Sequence, residues 1–248
     1  MDNLLLIQFG IFLLSGFVHG LLGFGFPMIA TPLLSIFINV KEAVLLTLFP
    51  TMFSNAQIIK KSTDFGALFS KYRILIIFVV IGSFLGTTFL ITFNSPYYKL
   101  LLALVILLYL NKQKLKISLD EMIQNNPKKM MLFFGLFSGI VSGLVNIMLP
   151  VLVIYVLEMN LKKEESFTLM NFCFISSKIT QIFIFGSYGN FSFDFALFMI
   201  PVILISLFGL MLGERMRKYI NEDFYKKMLI WLLWGLSLYL IFDTFTYK

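Results

Sequence analysis

Ser15-Gly16-Phe17-Val18-His19-Gly20-Leu21-Leu22-Gly23-Phe24-Gly25-Phe26-Pro27 returns later in the chain as Ser138-Gly139-Ile140-Val141-Ser142-Gly143-Leu144-Val145-Asn146-Ile147-Met148-Leu149-Pro150. The two stretches align without a gap, position 15 on position 138, an offset of 123 residues. Ser, Gly, Val, Gly, Leu and Pro recur in place. Both copies are uncharged apart from His19, rich in small residues, and end on a proline that cannot donate a backbone hydrogen bond. They read as a membrane-embedded break at the centre of each half of a duplicated protein.

The composition supports a membrane setting. Of the 248 residues 59% are hydrophobic and 13% charged, and the mean hydropathy is +0.90. A soluble domain of this length needs far more polar surface. The formal charge of +7 does not point to nucleic acid, because the basic residues sit in short loops between apolar runs, as the positive-inside rule describes. A single cysteine, Cys173, excludes an internal disulfide and a multi-cysteine metal site. No basic stretch precedes Leu4, so the first apolar segment reads as a span and not as a signal peptide.

Apolar segments run over 4–22, 26–38, 43–59, 73–93, 97–110, 130–145, 150–157, 166–186, 195–212 and 225–246. A helix crossing a ~30 Å hydrocarbon core needs about 20 residues. The pieces beginning at Pro27 and Pro150 are too short, so they read as half-helices or re-entrant hairpins. Backbone interrupted at that depth is shielded by protein or lines a wet cavity. Loops near 60–73, 112–129, 162–163 and 215–227 hold sixteen of the twenty Lys and Arg residues. If those loops are cytoplasmic, both termini lie on the non-cytoplasmic side of the cell membrane.

The duplication extends beyond the opening motif. Glu42 and Ser54 match Glu165 and Ser177, Asp64-Phe65 answers Asp194-Phe195, and Gly82 and Gly86 match Gly209 and Gly213. The basic 60–73 loop corresponds to the uncharged 186–193 loop, so equivalent loops are expected on opposite sides. The expected fold is an all-α integral membrane protein of two inverted-topology repeats, 1–111 and 130–248. Each repeat has about five helical elements, joined by a cytoplasmic linker at 112–129, with broken helices meeting near the midplane.

Gly20, Gly23, Gly25, Pro27 and Pro32 form a glycine-rich turn with prolines. A helix opening near Ala43 follows, carrying Thr47, Pro50 and Ser54, and then the Asp64-Phe65 loop and the Gly82/Gly86 helix. In these features the chain resembles the TauE/SafE family of membrane proteins, over nearly its whole length. The resemblance implies transport of a small anion, often an oxidised sulfur compound.

The residues agree in broad terms. A half-helix starting at Pro27 or Pro150 presents amide groups and a positive dipole end that suit an anion, and Gly23 and Gly25 let a ligand approach the backbone. Together with Asn146 they are candidate substrate contacts, against the alternative of tight helix packing, which is the reading taken for Gly16 and Gly20. Lys178 is the sharpest single residue: a cation inside the run 167–185, which contains no acid. A bound anion would pair with it, unless it snorkels outward or pairs with Asp194 or Glu158. Its first-half equivalent is Asn55. Asn55, Gln57 and Gln181 are candidates for hydrogen bonds to substrate oxygens, with Asn171, Thr47 and Thr51 behind them. His19 is a proton-coupling candidate or a structural histidine. Glu42 and Glu165 read as first-turn acids, Cys173 as a packing residue, and Trp231 and Trp234 as lipid-facing or packing positions.

An anion carrier working by alternating access is thus the leading expectation. A channel or a non-transporting scaffold stays open. A membrane enzyme is less favoured, because one His and one Cys offer little to build catalysis from and no H-E-x-x-H or G-x-S-x-G motif is present. No cofactor, metal or nucleic acid is expected. The expected partners are the small anion and the bilayer, and a homo-oligomer is compatible with the sequence.

Overall fold

The computed structural model describes residues 2–60, 65–93, 95–111, 120–159, 161–217, 219 and 222–246. Among them every regular element is an α-helix: α1 (Asp2–Leu22), α2 (Phe26–Leu34), α3 (Val40–Ile59), α4 (Phe65–Thr92), α5 (Tyr97–Asn111), α6 (Asp120–Asn125), α7 (Pro127–Val145), α8 (Leu149–Glu158), α9 (Lys163–Ser187), α10 (Phe193–Met216) and α11 (Glu222–Thr246). Lys61, Asp64, Lys112, Lys114, Lys116, Lys218 and Lys248, which entered the charge and repeat arguments, lie outside the described residues. Five helices, α1, α4, α7, α9 and α10, contain spans long and apolar enough to cross a membrane. Large apolar side chains such as Phe183, Phe193, Trp231 and Phe242 face outward, as expected where the surrounding solvent is lipid.

The expected breaks are present at equivalent positions. Helix α1 stops at Leu22, and Gly23 takes a left-handed conformation (φ 82°) with its N–H donating to the His19 carbonyl at 2.7 Å. Helix α7 stops at Val145, and Asn146, the counterpart of Gly23, is also left-handed (φ 65°), its N–H donating to the Ser142 carbonyl at 2.9 Å. Glycine and asparagine are the residues that most readily end a helix in this way. Pro27 and Pro150 then fall in the first turns of α2 and α8, where a missing N–H costs nothing. Nine and ten residues make helices of about 14 and 15 Å, half of a hydrocarbon core.

Several boundaries differ from the sequence reading. Helix α4 begins at Phe65 instead of 73 and bends at Tyr72 (φ −107°, ψ 16°). Lys71 and Arg73 therefore sit on exposed faces of a helix and not in a loop. A hydropathy argument stops at such charges, whereas a helix emerging from the apolar layer continues through them. Helix α2 ends at Leu34, and residues 35–38 form a turn closed by Phe37 N–H donating to the Leu34 carbonyl at 2.9 Å. Within the stretch read as a linker, α6 forms and α7 starts at Pro127.

The helices pack as two close pairs, α1 with α10 and α4 with α7, together with α3 against α9 and α5 against α11. Exchanging α1–α5 for α7–α11 in order maps each of these pairs onto another or onto itself. The close pairs rest on equivalent glycines. A Cβ on Gly16 or Gly20 would lie 2.1 Å from the Ser206 or Leu210 carbonyl oxygen, and one on Gly209 or Gly213 would meet the Leu13 or Phe17 carbonyl oxygen at 2.3 or 2.1 Å. In the other pair, Gly82 and Gly86 meet Leu136 and Ile140 at 2.1 and 2.3 Å, while Gly139 meets Val79 at 2.3 Å. Only glycine permits backbones this close, so Gly16 and Gly20 are packing residues as expected.

Candidate functional site

The broken ends of α1 and α7 bring polar side chains into the middle of an apolar bundle. Lys178, at the centre of α9, is 1% exposed. It neither snorkels nor reaches Asp194, which is exposed. Its Nζ donates to Asn146 Oδ1 and to Gln181 Oε1 at 2.7 Å, and both acceptors are uncharged amides. Gln181 stands one turn along α9 from Lys178, the spacing at which helical side chains meet. Asn146 is aimed at Lys178 by the left-handed turn that ends α7.

The rest of this cluster fixes those two amides. Asn146 Nδ2 donates to Thr31 Oγ1 at 3.0 Å and to Thr47 Oγ1 at 2.6 Å, tying the break in α7 to α2 and α3. Gln181 Nε2 donates to the Ser142 carbonyl at 2.8 Å and lies 3.2 Å from Ser177 Oγ. Ser177 Oγ in turn bonds Ser142 Oγ at 2.7 Å and Ser83 Oγ at 2.9 Å. With its NH₂ group donating elsewhere, each amide has its oxygen oriented toward the lysine. The structure thus unites Lys178, Gln181 and Asn146 in one network. Thr31, Ser83, Ser142 and Ser177 belong to it as well, although the sequence reading assigned them no contact there. Ser142 and Ser177 carried a usable signal, since both are polar and occupy repeat positions.

The first repeat is arranged differently. Asn55, the counterpart of Lys178, is 1% exposed, yet neither its Oδ1 nor its Nδ2 has a partner among the described residues. The same holds for Ser54 Oγ, the counterpart of Ser177, and for Thr51 Oγ1 and His19 Nε2. Buried polar groups are nearly always hydrogen-bonded, so a group of orphans on α1 and α3 is unusual. Ser54, Thr51, Asn55 Nδ2 and the His19 ring N–H are all able to donate.

His19 is fully buried, and its Nδ1 accepts from the Phe26 N–H at 3.3 Å. That bond needs an unprotonated Nδ1, which leaves the ring proton on Nε2. It also occupies the first amide of α2, one of the donors that the sequence reading left free for an anion. Gly23 and Gly25 are buried, but a Cβ on either would meet nothing within 4 Å, so there is free space beside the break. Asn171 Nδ2 lies 3.3 Å from the Gly23 carbonyl. Gln57 is half-buried and takes no part in the network. Pro27 and Pro150 act through the helices they start. Among the described residues no three His, Cys, Asp or Glu side chains gather as metal ligands, and the chemistry on offer is that of hydroxyls, amides and one amine.

A cluster of this kind can hold an anion, orient it by hydrogen bonds and release it, but it contains no activated nucleophile. A family model described as sulfite exporter TauE/SafE matches residues 8–240. No curated protein and no solved structure matches the chain.

Proposed function

The chain belongs to the sulfite exporter TauE/SafE family of membrane transporters, and we propose that it carries a small sulfur-containing anion, sulfite or an organic sulfonate, with Lys178 as the counter-charge. The observation that carries this reading is a buried lysine whose described partners are two neutral amide oxygens. A lone cation inside a membrane bundle is costly, and such residues mark substrate paths. An oxyanion also has further oxygens to satisfy, and the buried donors left without a partner on α1 and α3, Asn55 Nδ2, Ser54, Thr51 and His19 Nε2, are groups of the kind that would serve them.

Alternating access between two oppositely oriented repeats is the mechanism we infer. Support comes from the sequence duplication, from breaks at equivalent residues and from a set of helix contacts that survives exchange of the halves. Proteoliposomes loaded with unlabelled sulfite should take up external labelled sulfite faster than empty ones. Flux that never saturates identifies a channel, and absence of flux for sulfite, thiosulfate, sulfoacetate, taurine and acetate removes the transporter reading. The orientation is tested in a cysteine-free background (Cys173→Ser). Lys60→Cys should react with an impermeant maleimide from the cytoplasmic side and Tyr188→Cys from outside. Labelling of both from one side excludes the inverted arrangement.

A further inference from the structure

We propose that Lys178 also carries a proton, so that each transported anion moves together with one H⁺ in the same direction. This rests on the reading of Lys178 as the anion's counter-charge.

An ammonium has three N–H donors and a neutral amine has two. Two acceptors face Lys178 Nζ, Asn146 Oδ1 and Gln181 Oε1, and both are held in place by bonds on their own Nδ2 and Nε2. These two acceptors match the two N–H donors of a neutral amine and leave an ammonium with one donor and its charge unmatched. An anion supplies both missing items.

Among the residues whose side chains are described, none pairs with Lys178 as a counter-charge. Of the elements packed on α9, α4 brings the buried Tyr72 and α8 the buried Tyr155, and α9 itself has Cys173. Helix α3 carries only Lys41, Glu42 and Lys60 at its ends, and α7 only the exposed Lys128 and Lys129. Lys71, Arg73 and Glu164 are exposed and Glu165 is half-buried. Glu158 is the last residue of α8. From α1 comes His19, fixed as a neutral acceptor by Phe26. The buried carboxylate of Asp243, on α11, is engaged by Lys99 at 2.5 Å.

The cycle then balances. On the loading side, water gives H⁺ to the Lys178 amine as the anion enters, and on the far side the anion leaves and the ammonium returns H⁺ to water. The empty carrier goes back with a neutral amine. One proton accompanies one anion, so a monovalent anion crosses without net charge and a divalent one carries a single negative charge.

The test uses isethionate, whose sulfonate stays ionised at neutral pH, and proteoliposomes containing the pH dye pyranine. Inward isethionate movement should acidify the lumen and should be insensitive to a valinomycin voltage clamp. An inside-alkaline difference of one pH unit should sustain up to about tenfold accumulation. Lys178→Arg, which keeps its charge permanently, should still exchange labelled for unlabelled isethionate while net uptake and acidification disappear. Isethionate uptake that is electrogenic and leaves the lumen pH unchanged overturns proton coupling and leaves the anion carrier standing. Net acidifying uptake by the arginine variant also overturns it. Absence of transport for every anion in the panel removes this proposal together with the function it rests on.

Discussion

Lys178→Met is expected to give a folded protein that no longer carries anions. Methionine matches the length of the lysine stem but brings no charge, so the variant removes the counter-charge and little else. Withdrawing one member of a buried ionic pair costs about 3–5 kcal/mol, which corresponds to more than a hundredfold loss of anion affinity. Folding should suffer far less. Asn146 Oδ1 and Gln181 Oε1 each lose a donor, at about 1–3 kcal/mol per orphaned group, and no longer having to bury a polar amine offsets this. The measurement is labelled-sulfite uptake in proteoliposomes, alongside thermal unfolding in detergent. Unchanged uptake kinetics in a well-folded variant would place the anion elsewhere.

Asn146→Asp is expected to lock the site. The exchange alters a single group, an amide NH₂ replaced by a second carboxylate oxygen, directly beside the ammonium. The left-handed backbone at Asn146 (φ 65°) tolerates aspartate, and the Thr31 and Thr47 hydroxyls, acceptors in the native arrangement, can rotate to donate instead. The new carboxylate then does what the substrate does. Transport should fall at least tenfold, with the thermal midpoint maintained or raised, each kcal/mol gained being worth about 2–4 °C in a chain of this length. An Asn146→Asp protein that transports normally would sink the claim that an anion must reach this ammonium. Lys178→Met loses activity by lacking a charge and Asn146→Asp by satisfying it, so together they separate electrostatics from disrupted packing.

The break points were legible because they depend on local chemistry: a glycine or asparagine able to turn left-handed, then a proline able to start a helix. That Lys178 turns inward was one of the few arrangements open to an isolated cation in an apolar run, and the structure buries it. Its partners were harder to see. Asn146 lies 32 positions away in sequence, and only tertiary packing brings the end of α7 to the middle of α9. Gln57 was drawn in by composition, yet it stands two residues from Asn55, about 200° round the helix, and so faces away from its neighbour's side. The hydrogen bond from Phe26 to His19 was also invisible, since it joins residues across the turn whose shape had to be known first.

The glycine contacts between α1 and α10, and between α4 and α7, bear on how such a protein can move. Backbones held at 2.1–2.3 Å from a would-be Cβ leave no slack for sliding, so each duo behaves as a single girder, and each girder takes one helix from either half of the chain. Any rearrangement that opens the centre to one side of the bilayer therefore cannot separate the N-terminal half from the C-terminal half as two blocks. On the alternating-access mechanism proposed above, the short, interrupted helices and the α3–α9 seam would have to swing between two composite girders of fixed internal geometry.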